Sequence, residues 1–168
     1  KTLENLNLKN RVIFYSLDKQ IDDYMKKISV KSIYRHLKDI PDSGTYGNEN
    51  FFKITFQKLY SIKNILETTN DIVVYTDTDV VFLKSINDDI LKFKNSDYDV
   101  MFQCDNKDGD YTVQNCSSLC SGFIFLKPTE QVFNCLNKSI DNMKILLDTN
   151  NFEKAPSADQ SVVNNVFK

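Results

Sequence analysis

Histidine is all but missing from this chain: there is one, His36, in 168 residues. Four cysteines are present, Cys104, Cys116, Cys120 and Cys135, but none falls in the paired Cys-x-x-Cys form. With a single remote histidine, those spacings exclude a zinc signature. Free, partly buried thiols are the expectation, with Cys116 and Cys120 the pair an oxidising compartment could join. Arginine is scarce too: only Arg11 and Arg35 stand among 21 basic residues, which reads as coding bias. A net charge of −2 removes any strong electrostatic case for nucleic acid or an anionic membrane surface. No apolar run approaches the roughly 20 residues of a membrane span, and no targeting segment is visible. Location therefore stays open between cytoplasm and secretory lumen. Two glycosylation sequons, Asn115-Cys116-Ser117 and Asn137-Lys138-Ser139, carry weight only in a secreted protein.

What is present is ordinary for a globular domain: 41% apolar and 26% charged residues, enough for a sizeable core. No repeat or low-complexity linker interrupts it, so 1–168 reads as one domain. Its opening, KTLENLNLKNRVIF, looks like an element already under way. RVIFYSLD (11–18) is a short apolar run, a parallel strand by pattern. A mixed segment and a loop of turn formers, PDSGTYGNEN (41–50), follow. Phe52, Phe56, Leu59, Ile62, Ile65 and Leu66 then recur at three- and four-residue spacings and predict a helix. After it come a strand at 72–76, a short helix at 87–94, and strands at 98–105 and 121–128. Thr129 and Asp159 are placed to cap two final helices, through 147 and over DQSVVNNVF. Alternating strands and helices predict an α/β fold with a largely parallel sheet. Ligands gather outside the carboxyl ends of such strands. Asp77, Asp79 and Asp105 all fall at or near such ends.

IVVYTDTDVVFL (72–83) sets Asp77 and Asp79 within the most strand-like run of the chain. Unpaired carboxylates cost several kcal/mol in such surroundings, so a cation is the natural partner. Residues two apart in an extended chain share a face, about 7 Å apart between Cα atoms. Two such carboxylates can reach one hard cation, and oxygen donors select Mg²⁺, Mn²⁺ or Ca²⁺. A solvated turn is the plain alternative, but such a turn would not need VVFL directly after it. Three chemistries compete. TDTDVV matches the motif of a haloacid-dehalogenase-type phosphatase, yet no Gly-rich loop follows it. CDNKDGDYTVQN fails as a calcium loop, lacking an acid at its first position and Glu at its twelfth. Sugar transfer from a nucleotide sugar, with a metal bridging the pair to a diphosphate, is the third.

With these motifs in order, the chain resembles the GT-A-type nucleotide-diphospho-sugar transferases. The nearest likeness is to the family of plant xylosyl- and arabinosyltransferases, and glycogenin-like enzymes are related. The likeness runs from Arg11 to Phe167. RVIFYSLD is similar to the family's second strand, FQKLYSIKNIL to the helix before the metal motif, and IVVYTDTDVVFLKS to the DxD strand. FQCD matches the next strand, SGFIFLKP the "NSG" strand and ADQSVVNNVF the terminal "DQ" helix. Cys120 stands where the family has the asparagine of "NSG". The first strand would precede Lys1, and the segment bearing a histidine metal ligand would follow Lys168. The expected fold is thus a Rossmann-like, mixed but mainly parallel GT-A sheet, incomplete at both ends.

The resemblance implies a metal-dependent transferase, retaining in stereochemistry, that moves a sugar from a UDP-sugar to a hydroxyl of a glycan or protein acceptor. It implies Mn²⁺ or Mg²⁺ at Asp77 and Asp79, with Asp79 the more direct ligand. Donor contacts are implied at Lys58, Asp77, Thr78, Ser121 and Gly122, and sugar-facing roles for Asp105, Asp159 and Gln160. Each has a plainer alternative: Lys58 a solvated lysine, Asp105 a loop carboxylate, Asp159 a helix cap, His36 a surface residue. A degenerate homologue that keeps the fold and only binds a partner is the non-enzyme alternative.

Overall fold

The computed structural model describes residues 6, 8–35, 44–105 and 116–168. These fall into two compact units, drawn from 1–42 with 81–86 and from 43–80 with 87–168. His36, the turn-rich 41–43 and most of the rejected calcium loop lie outside the described residues.

In the first unit, β1 (Ile13–Ser16) is followed by α1 (Lys19–Lys27) and β2 (Lys31–Tyr34). The strands pair in parallel, from Ile13 opposite Lys31 to Ser16 opposite Tyr34, as a helical crossover requires. The helix starts where it does because the Asp18 carboxylate accepts the backbone N–H groups of Gln20 and Ile21, at 2.6 and 3.0 Å. Asp22, fully buried, accepts from Lys26 at 2.7 Å and Lys19 at 3.2 Å. The Lys26 contact foremost pulls its carboxyl down to about 2.

The second unit holds α2 (Glu49–Thr68), β3 (Val73–Thr76), α3 (Asn87–Lys94), β4 (Val100–Cys104), β5 (Leu119–Leu126), α4 (Glu130–Thr149) and α5 (Asp159–Phe167). Asn48 caps α2 by accepting the Phe51 N–H at 2.8 Å. Of the apolar face read from the sequence, Phe52, Phe56, Leu59, Ile62 and Leu66 are buried and Ile65 is half-buried. It meets Leu136 and Met143 of α4, Val162 and Val163 of α5, and Ile124 and Leu126 of β5 in one core. Burying each such side chain is worth about 1.5–3 kcal/mol. The sheet order is β3-β5-β4. Thr129 caps α4, as its position predicts.

The α/β class and mixed pairing hold, with a difference in detail. Among the described residues, parallel pairing is confined to β1 and β2, while β5 runs antiparallel to both β3 and β4. From β4 the chain returns alongside itself as the antiparallel β5. That return corrects the cysteine reading. Cys104 lies opposite Leu119, and the same register brings Cys104 and Cys116 to 5.6 Å between Cα atoms, joined in a disulfide. Cys120 and Cys135 are the free thiols. VVFL is corrected as well: β3 stops at Thr76, and Val81 and Leu83 are 64% and 92% exposed. No described helix is long and apolar enough to cross a membrane.

Candidate functional site

Lys58 is the centre. It projects from the middle of α2 with a side chain only 11% exposed. Its ammonium stands 2.8 Å from Asp159 Oδ2, 3.1 Å from Asp77 Oδ1 and 3.4 Å from Asp77 Oδ2. The contact with Asp159 is one of charge, since Oδ2 accepts no directional hydrogen bond among the described residues. The Ser121 hydroxyl and carbonyl accept from Lys58 at 3.3 and 3.4 Å. Burial alone would lower the lysine pKa; the Asp159 and Asp77 carboxylates outweigh it and hold the value above normal. Lys58 is therefore a fixed, buried cation, and the solvated-lysine alternative falls.

Asp77 follows β3 directly. Its N–H donates to Gly122 O at 2.9 Å, the last rung between β3 and β5. Its Oδ1 accepts the Tyr75 hydroxyl at 2.6 Å. Burial, and then that hydrogen bond to a carboxylate, push the phenol pKa far up, so Tyr75 stays a donor. On the other side lies Gly122, where a Cβ would come within 2.8 Å of Asp77 Oδ2. Only a bare Cα leaves the carboxylate its room. Thr78 and Asp79 are exposed beyond this cluster, and the Asp79 charge still acts on Tyr75.

Asp159 does not take the plainer role of a helix cap. Ala158, not Asp159, is the N-cap of α5, and no side chain caps that end. Ala158 has φ 43°, a left-handed conformation that costs an alanine on the order of 1–3 kcal/mol. Asp159 is the first helical residue, its side chain 6% exposed and turned onto Lys58. Gln160, next along, accepts the Ser121 N–H at 3.3 Å and donates to Asp105 Oδ2 at 2.9 Å. Asp105 is exposed and is anchored by its own N–H donating to Ser118 O at 2.7 Å.

Contacts thus run from Asp105 through Gln160, Ser121 and Lys58 to Asp77 and Asp159, drawing on α2, β5, α5 and the residues just past β3 and β4. Sequence reasoning missed Tyr75 and Asn164. Tyr75 precedes Asp77 by two, so period-two alternation could have found it; Asn164 lies one helical turn beyond Gln160. Among the described residues, no group of three or more His, Cys, Asp or Glu side chains gathers as a metal cage. Asp77 and Asp79 remain an all-oxygen pair suited to a hard cation that takes its other ligands from elsewhere. Both Asp77 oxygens are already engaged, while Asp79 is open to solvent, so Asp79 suits direct ligation.

An α/β sheet with acidic side chains and one buried lysine at its strand ends has the make-up expected of the GT-A-type transferase class. The family model described as nucleotide-diphospho-sugar transferase matches residues 7–168, and the chain belongs to that family. No curated protein and no solved structure matches it.

Proposed function

We propose that this protein is a metal-dependent glycosyltransferase that moves a sugar from a nucleoside diphosphate, UDP foremost, to a hydroxyl of a glycan or protein. Family membership supports glycosyl transfer over the phosphatase alternative. Because the match runs through both units, we take 1–168 as one transferase domain. The observation that carries the finer reading is the buried Lys58 bridging Asp77 and Asp159, with Asp79 exposed beside it.

One lysine against Asp77, Asp159 and Asp79 leaves a surplus of negative charge, which invites a divalent cation. Mn²⁺ or Mg²⁺ bound at Asp79, with Asp77 directly or through water, would offset the charge of a departing diphosphate. The chain's own residues do the rest. Lys58 fixes both carboxylates and offers its charge to the diphosphate. Ser121 and Gly122 line the donor beside Asp77, and Thr78 lies exposed next to it. Asp105 and Gln160 hold sugar hydroxyls. Asp159 places negative charge where the sugar ring becomes positive as its bond to the diphosphate breaks. Retention is the stereochemistry that the resemblance to the xylosyl- and arabinosyltransferases implies, by attack on the face the diphosphate leaves or through a covalent intermediate on a carboxylate.

Calorimetry with UDP and Mn²⁺ tests the metal reading. Asp79→Asn should weaken metal-dependent binding by more than about tenfold, or about 1.4 kcal/mol; unchanged affinity would falsify the assignment. Asp159→Asn should retain that binding and lose about 10²–10³ in turnover, about 2.7–4 kcal/mol. A protein that binds UDP with Mn²⁺ and neither transfers nor hydrolyses any UDP-sugar is the degenerate binding homologue instead.

A further inference from the structure

Helix α5 carries Asp159 and Gln160, and something must hold it at a fixed height against the sheet. Its apolar residues Val162 and Val163 pack into the core, but apolar contacts are non-directional and do not set a helix to within a fraction of an ångström. A site that acts by placing charge needs that precision.

Near the start of β5 the sheet supplies an unusual opening. The β4–β5 register breaks between Phe102 and Gln103: Ile124 lies opposite Phe102, whereas Cys120 lies opposite Gln103. Ser121 and Gly122 have no β4 partner residue, and β3 gives its last rung at Gly122. Two side-chain amides from α5 meet the β5 backbone at Leu119 and Ser121, ahead of that last rung, and Leu119 keeps Cys104 as its β4 partner. Gln160 Oε1 accepts the Ser121 N–H. Asn164, four residues later on the same helix face, does more. Its Oδ1 accepts the Leu119 N–H at 2.8 Å, and its Nδ2 donates to Leu119 O at 2.8 Å and to Gln160 O at 2.8 Å. An amide that both accepts from and donates to one strand residue imitates a strand rung, and both donors of Asn164 are used.

We propose that Asn164 is the positioning residue of the site: it locks α5 onto Leu119 and thereby sets where Asp159 meets Lys58. It touches no reacting group in this arrangement and acts through the helix. The inference rests on the transferase reading for its catalytic consequence, but not for its structural one.

The test compares Asn164→Ala and the milder Asn164→Ser with wild type in the full chain. Asn165→Ala, the exposed neighbour on α5, serves as a control, and Ile140→Val, a core trim on α4, provides a loss of stability without contact to α5's amides. Three readouts are taken: donor kcat and KM with a UDP-sugar and Mn²⁺, hydrogen exchange at the Leu119 amide, and the rate at which a small acylating reagent modifies Lys58. Expected for both Asn164 variants are a tenfold or greater fall in kcat with KM within twofold, faster Leu119 exchange, and Lys58 modified at least fivefold faster. Asn165→Ala and Ile140→Val should leave Lys58 labelling near wild type. Unchanged Lys58 labelling in Asn164→Ser overturns the proposal whether or not the protein is active. Equal Lys58 acceleration in Ile140→Val overturns it too, because general loosening would then explain the effect. If wild type turns over no UDP-sugar, the transferase reading falls and the labelling arm alone decides the role of Asn164.

Discussion

Two charge clusters in this molecule look alike and are built on opposite plans. Around Asp22, every charged partner among the described residues comes from one stretch of helix, at three- and four-residue spacings: Lys19 contacts Asp22 and Asp23, and Lys26 contacts Asp22. Two lysines face two aspartates, and the lysine side chains are about half exposed, at 55% and 54%. The cluster is neutral, local and screened by solvent. Around Lys58 the partners lie 19 and 101 residues away in sequence, the lysine and Asp159 are both buried, and one cation faces two carboxylates. The first cluster is what a helix makes of its own side chains. The second exists only because three segments converge, and it leaves charge unbalanced. Imbalance of that kind is what the proposed binding of a charged ligand would complete.

The largest test of the contrast removes one lysine from each. Lys58→Met leaves the buried Asp159 carboxylate without its cation beside a part-exposed Asp77, and breaking a buried pair on one side typically costs about 3–5 kcal/mol. Lys26→Met leaves Asp22 its Lys19 contact, and its denaturant midpoint should move far less. Comparable midpoints in urea unfolding would erase the distinction between the clusters.

A smaller effect concerns what supports the second cluster. Cys104 is bonded to Cys116 and is followed at once by Asp105, the partner of Gln160. Cys104→Ser with Cys116→Ser should cost about 2–3 kcal/mol, the loop-closure value for a ring of this length. It should also loosen Asp105, raising donor KM several-fold, while the Asp22 cluster is untouched. If unfolding under reducing and oxidising conditions coincides, the bond contributes nothing.

These tests also show what a linear reading can reach. The helix at 49–68 was legible because Phe52, Phe56, Leu59, Ile62 and Leu66 repeat at helical spacing, whereas its cap, Asn48, was read as part of the preceding loop. Helix α1 was missed: KQIDDYMKK is largely polar, and its signals are the cap at Asp18 and a buried carboxylate that looks exposed in sequence. The Cys104–Cys116 bond was illegible because it follows from hairpin register rather than from spacing. Asp159 misled in the other direction. Aspartate before an apolar helical run is an excellent cap by local rules, and only the arrival of Lys58, a hundred residues earlier in the chain, turns it inward. The motif order supplied the family and the residues; the contacts joining them had to be seen.

The smallest expected effect belongs to the local cluster and is set by pH. Asp22 has a folded-state pKa of about 2 against 3.8 for the ordinary carboxyl. A depressed value contributes stability above the unfolded pKa and loses it as pH falls, so the contribution of Asp22 should be whole above about pH 4 and fade towards pH 2. Asp22→Asn should flatten that part of an acid titration followed by circular dichroism. A curve that keeps its full slope would mean that other carboxyls carry it.

Gly122 specifies a vacancy. Chemistry is usually traced through groups that carry charge or protons, and this residue has neither; what it contributes is the space its missing side chain leaves beside Asp77 Oδ2. Part of the setting of Asp77 is therefore encoded 45 positions downstream, in a strand that carries no acidic residue of its own. Filling that vacancy would displace Asp77 from Tyr75 and Lys58 while every charged group stayed in the sequence. A catalogue of acids and bases would count such a protein intact, although the shape that lets its acids work together would be gone.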